Sequence, residues 1–182
     1  MATQTEADVG QKGGKFLTFN LAKETYGLEI LKVREIIGLM DITAVPRTPG
    51  YVKGVINLRG KVIPVIDLRL KFKMPEAEHT DETCTIVVNV GNVEVGILVD
   101  KVSEVIEIQG QNIEDAPSFG SEVDTNFILG MGKTNDTVTI LLDIAEVLKH
   151  EDVLTVRTAM SGQQGSSAEP APQAAAGVVE TV

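Results

Sequence analysis

Cys84, His79 and His150 are the whole stock of thiol and imidazole groups in the sequence. A zinc site needs three or four such ligands held close together. These three fall apart: Cys84 in a predicted strand, His79 in an acidic stretch, His150 at the end of a helical pattern. Neither a metal site nor histidine catalysis is expected, and no cofactor is implied. A single cysteine forms no internal disulfide, and within a strand Cys84 reads as a small buried apolar residue rather than a nucleophile. Gly132-Lys133-Thr134 matches the end of a phosphate-binding loop, but Phe127 stands where that loop needs its first glycine. A strand pattern, Val138 to Leu142, follows it instead of the required helix. Carboxylates are so numerous that any pair of them is a weak sign of acid–base catalysis. The formal charge of −10 opposes a nucleic-acid role. What remains is recognition chemistry. Arg59, in Asn57-Leu58-Arg59-Gly60, carries a planar fork that can grip a carboxylate through two hydrogen bonds at once.

The elements that must position these residues are strands. Hydrophobic residues make up 43% of the chain, aromatics only 4%, and Trp is absent. The core must therefore be Val, Ile and Leu, a composition that favours strands. Leu17, Phe19 and Leu21 alternate with polar residues. Thr85 to Val90 runs into a Gly91-Asn92 turn and returns as Val93 to Val99, a hairpin pattern. A second tight turn is predicted at Arg59-Gly60, with Lys61 to Ile66 returning. Pro64 donates no ladder bond, which suggests an edge strand or a bulge there. Ile30 to Ile37 fits neither the helical nor the strand period.

The sequence repeats itself. Gly27 to Ile37 aligns without gaps on Gly96 to Ile106, with Gly27/Gly96, Lys32/Lys101, Val33/Val102, Glu35/Glu104 and Ile37/Ile106 identical. Gly54 to Leu68 aligns on Gly130 to Ile144, with Gly54/Gly130, Val62/Val138 and Asp67/Asp143 identical. Two blocks in the same order indicate duplication of one unit of about five short strands. A unit that small closes most easily as a little barrel. Gly130 and Gly132 read as turn or close-approach positions. Asp67 and Asp143 each precede a short helical pattern and read as N-caps. Arg59 has Asn135 as its counterpart, which points to a role outside the shared scaffold.

Residues 1–14 and 161–182 have the composition of disordered tails. Between them the first unit spans 15–74 and the second 83–150, with exchange of end strands between them left open. A helical segment is expected at 151–160. Residues 1–75 hold 12 of the 16 Lys and Arg and 7 of the 26 Asp and Glu; the remainder of the chain is strongly acidic. No leader-like or membrane-spanning apolar run is present, which suggests a cytoplasmic protein without direct membrane insertion.

Gly54-Val-Ile-Asn-Leu-Arg-Gly-Lys-Val-Ile-Pro-Val-Ile-Asp-Leu68, preceded by Tyr26 to Ile36 and followed by Val95 to Val105, closely resembles the CheW family of bacterial chemotaxis. The resemblance runs from about Phe16 to His150. It implies a mainly β fold of two SH3-like five-stranded barrels with short helices, acting as one domain over 15–150. It implies no catalysis and no nucleic-acid binding. It implies an adaptor that joins the cytoplasmic tips of methyl-accepting chemoreceptors to the regulatory domain of the histidine kinase CheA, recruited to membrane-associated arrays. An alternative is a CheW-like regulatory module serving a receptor–kinase pathway outside chemotaxis. Asn57, Leu58 and Arg59 match the family's hallmark, and Glu35 is the expected carboxylate partner of Arg59. Val33 and Ile36, with Val99 and Val102 opposite, are the expected apolar contact residues for receptor or kinase.

Overall fold

Near-continuous apolar runs commit both halves to strands covered on two faces. The computed structural model describes residues 13–118, 120 and 124–149. The first repeat supplies β1 (Gly14–Leu21), β2 (Glu24–Glu29), β3 (Val33–Gly38), β4 (Val52–Leu58), β5 (Lys61–Asp67) and the short helix α1 (Leu68–Lys71). The second supplies β6 (Cys84–Val90), β7 (Val93–Val99), β8 (Lys101–Ile108), β9 (Ile113–Glu114), β10 (Ile128–Thr134), β11 (Thr137–Leu142) and α2 (Ile144–Val147). The ambiguous stretch after Ile30 is a 3-10 turn, Ile30–Lys32, leading into β3. Of the stretch 1–14 only Gly13 and Gly14 are described, and Gly14 opens β1. His150, the expected helical segment 151–160 and the stretch 161–182 lie outside the described residues.

The class is mainly β, with two sheets. One runs β8-β1-β2-β11-β10-β9 and the other β3-β6-β7-β5-β4. Each sheet takes strands from both repeats: β1 and β2 join strands of the second repeat, while β6 and β7 join strands of the first. Two parallel pairings at equivalent places make the exchange. Val65–Asp67 lie beside Gly96–Leu98, and Ile140–Leu142 beside Tyr26–Leu28. The identical glycines of the first block sit at these junctions. A Cβ on Gly27 would stand 2.9 Å from Leu141 Cδ2, and one on Gly96 2.8 Å from Thr85 Cγ2.

The expected barrels are not closed by hydrogen bonds. β3 and β4 remain the edges of one sheet, and β8 and β9 those of the other. The outer edges that closure would use are already occupied. Thr43 and Val55 of β4 exchange backbone hydrogen bonds, 2.9 Å in each direction. At the equivalent place Glu114 of β9 pairs with Met131 of β10. Pro64 also departs from expectation, since β5 is an interior strand. Its pairing with β7 begins only at Val65, and Val55–Pro64 falls three pairs beyond the Leu58–Lys61 turn. Alternation along an antiparallel ladder makes this a non-hydrogen-bonded pair, so the missing N–H interrupts nothing.

The largest core cluster lies between the sheets. It joins Phe19, Leu28 and Leu142 to Ile66, Ile86 and Ile97, with Leu68 and Ile144 from the two helices. Smaller clusters fill the opposite faces, one around Ile63, Val65 and Val87 and one around Phe16, Ile108 and Leu141. Successive residues such as Ile86, Val87 and Val88 therefore serve different clusters, which is why the sequence shows a continuous run.

Both predicted caps form. Asp67 accepts from the Leu70 N–H at 3.3 Å, and Asp143 from the Ala145 N–H at 3.0 Å. Beside the first cap, Arg69 Nε and Nη2 donate to Asp100 at 2.7 and 2.5 Å, and the Ala22 N–H donates to the same carboxylate at 2.8 Å. Burial pushes the Asp100 carboxyl up, but the Arg69 and Ala22 bonds outweigh it and hold the group below its ordinary value. A depressed carboxyl adds stability above its unfolded pKa, about 3.9. That contribution is lost as pH falls through the folded pKa. Arg69→Ala is expected to cost about 1–2 kcal/mol at neutral pH, both partners being partly exposed. Acid titration of the thermal midpoint should show the gap between the two proteins closing below about pH 4.

Candidate functional site

Arg59 and Gly60 form the whole turn between β4 and β5, and both have positive φ, 51° and 85°. This is the signature of a type I′ hairpin, which prefers Asn-Gly. Asn57 accepts the Gly60 N–H at 2.8 Å and so braces the turn. Arginine is a poor choice for a left-handed position, which its counterpart Asn135 also adopts, at φ 52°. Its guanidinium reaches across to β3, at the opposite edge of the same sheet, and grips Glu35 through two hydrogen bonds. One is Nη1 to Oε2 at 3.2 Å, and the second runs from Nη2 to Oε1. The bidentate pair thus spans a seam that no backbone ladder closes. The bond from Arg59 is the main cause holding the Glu35 carboxyl below the usual carboxylate range.

The pair belongs to a larger charged cluster. Glu94 of β7 takes Arg34 Nε at 2.8 Å and Lys61 Nζ at 2.6 Å. Glu94 is 10% exposed while Arg59 is 68% exposed, so the carboxylates lie beneath a surface of cations. At the equivalent positions of the other repeat, Thr25 replaces Glu94, Ser103 replaces Arg34, Asn135 replaces Arg59 and Thr137 replaces Lys61; only Glu104 keeps the charge of Glu35. There a neutral chain forms instead. Asn20 receives a bond from Ser103 Oγ at 3.0 Å and donates to Thr25 Oγ1 at 3.2 Å. Arg34, Lys61 and Glu94 were missed by sequence reasoning, although this switch from charged to neutral between repeats was a readable signal.

The apolar candidates separate. Ile36 is 46% exposed and lies on the open face of β3. Val33 and Val102 are half-buried against the central core. Val99 is 1% exposed within that core, and Leu58 is 8% exposed in the cluster beneath β4 and β5. Both are corrected to packing residues, because a side chain enclosed on all sides offers no contact surface. Leu31, Leu39 and Met40 are further exposed apolar residues flanking β3. Cys84 opens β6 half-buried, and burial pushes its thiol above the ordinary value. No group of three or more His, Cys, Asp or Glu able to hold a metal occurs among the described residues.

Fold and site together define a class: a duplicated, two-sheet β module whose distinguishing residues sit on one exposed seam rather than in a cleft. The family model described as a CheW-like domain matches residues 15–152. The chain belongs to the CheW family. It is 41% identical over 144 residues to the chemotaxis protein CheW of Klebsiella aerogenes, covering 79% of this chain and 87% of that one. It is 36% identical over 154 residues to the CheW of Helicobacter pylori, covering 81% and 93%. Among solved structures, the scaffolding protein TtCheW of Thermoanaerobacter tengcongensis superposes with a TM-score of 0.70 at 36% identity, covering 77% of this chain and 95% of that one.

Proposed function

We propose that this chain is a non-catalytic adaptor of chemotaxis that couples the cytoplasmic tips of methyl-accepting chemoreceptors to the regulatory domain of the histidine kinase CheA. The observation that carries the reading is the unequal dressing of two equivalent scaffolds. One presents the Arg59–Glu35 pair amid Arg34, Lys61 and Glu94. The other presents a neutral hydrogen-bonded chain. Two surfaces of different chemistry on one body can hold two different partners at once. No described helix is long and apolar enough to cross a membrane, so recruitment to a membrane-associated array would come through the receptor.

Arg59 is the primary contact, Glu35 sets its direction, and Ile36 provides adjoining apolar area, with the half-buried Val33 and Val102 at its margin. Asn57 acts by holding the turn. The test is a binding assay with the isolated CheA regulatory domain and a receptor-tip fragment, separately and together. Binding to each, and a ternary complex when all are mixed, is the expected result. Failure to bind either one sinks the proposal. Association should also slow as salt is raised, because steering between charged surfaces is screened.

A further inference from the structure

A second surface feature lies away from the charged seam. An open groove of about 720 Å³ runs where the two repeats meet, lined by Tyr26, Phe72, Met74, Phe127, Ile140 and Val147. Its aromatic wall is continuous with the core. Phe19, Tyr26, Phe72 and Phe127 stack in series with centroids 5.8, 5.9 and 5.4 Å apart. Phe72 and Met74 follow α1 of the first repeat, while Phe127, Ile140 and Val147 belong to the second. Lys71, Lys73 and Lys149 also line it, as do Asp124 and Glu146, with Lys149 Nζ paired to Asp124 at 3.0 Å. An apolar groove of this kind calls for an apolar occupant.

We propose that the groove is filled by this chain's own residues 151–160, Glu-Asp-Val-Leu-Thr-Val-Arg-Thr-Ala-Met. Lys149, the last described residue, itself lines the groove, so the segment begins within a few residues of it. Extended chain covers about 3.3–3.6 Å per residue, and no long linker has to be closed. Val153, Val156 and Met160 fall at i, i+3 and i+7, with Leu154 beside them. On a helix they make one apolar stripe. Glu151 and Asp152 precede the stripe and carry charge opposite to that of Lys73, which lines the groove. Docked in this way, the segment fastens the two repeats together across their junction.

The test uses the full chain and two variants: V153D/V156D, and a control cut after Met160. Isotope-edited NMR should show contacts from the Val153, Leu154 and Val156 methyls to the Phe72 and Phe127 rings within one molecule. V153D/V156D should lose these contacts and lower the thermal midpoint by about 5–10 °C, while the cut chain behaves like the full one. A synthetic 151–160 peptide should bind V153D/V156D and not the full chain. Absence of the ring contacts in the full chain overturns the proposal. So does a V153D/V156D midpoint equal to that of the full chain, or contacts that arise only between differently labelled molecules, which would assign the groove to a second copy.

Discussion

Arg59→Ala is expected to weaken binding of the partner that docks on the charged seam by about 30-fold, the scale of a central arginine in an interface. The far-ultraviolet spectrum should be unchanged. The argument rests on the conformation of the turn as much as on the charge. Arg59 sits at φ 51° next to Gly60 at 85°. Asparagine tolerates that left-handed position better than arginine does. Arg59→Asn therefore recreates the preferred Asn-Gly turn and should leave the thermal midpoint unchanged or raise it by about 1–3 °C. Binding should fall as far as with alanine. Arg59→Lys keeps the charge but not the fork, and should recover only part of the affinity. Calorimetry of the three variants separates the possibilities. A folded Arg59→Asn protein that binds normally removes Arg59 from the interface. An unfolded one makes the Glu35 pair a structural clasp.

Gly54→Ala is expected to cost about 4 kcal/mol, at the upper end for a single substitution. Two terms act together. Gly54 has φ +140°, a conformation that side chains rarely adopt. A Cβ there would stand 2.0 Å from the Thr43 carbonyl oxygen, which itself bonds the Val55 N–H. Backbone cannot swing aside as a side chain tip can. The repeat supplies an internal comparison. Gly130 faces the corresponding cover strand, its added Cβ 2.6 Å from Ile113 Cγ2 and 2.8 Å from the Glu114 carbonyl oxygen. It carries no positive φ, so the backbone strain falls away and only the clash remains; Gly130→Ala should cost about 2 kcal/mol. Urea unfolding of both variants checks the order. Equal midpoints would mean that the cover over β4 peels away without consequence.

The duplication, the strand class, the two tight turns and the helix caps were legible, because each rests on local spacing or on comparing one repeat with the other; the Arg59–Glu35 pair, 24 residues apart, was an expectation attached to the family resemblance. The exchange of strands was not, since parallel pairings such as Val65–Gly96 carry no short-range signal. That is also why Glu94 was missed: it enters the seam from the second repeat. The burial of Leu58 and Val99 escaped for a different reason. Where a strand is covered on both faces, alternation no longer separates inside from outside. Barrel closure was over-read because the edge cover at Thr43 comes from a stretch with no strand pattern.

Because β2 runs beside β11 and β7 beside β5, the halves are linked like two clasped hands. Pulling one repeat away from the other would require both parallel ladders to part. A body assembled from two beads on a string yields at the string when pulled. Here the joint between the repeats is a pair of ladders, one inside each sheet, so a displacement imposed on one repeat reaches the other instead of being absorbed between them. Stiffness of this kind comes from the order of the strands alone, and conservative changes of individual side chains should leave it in place.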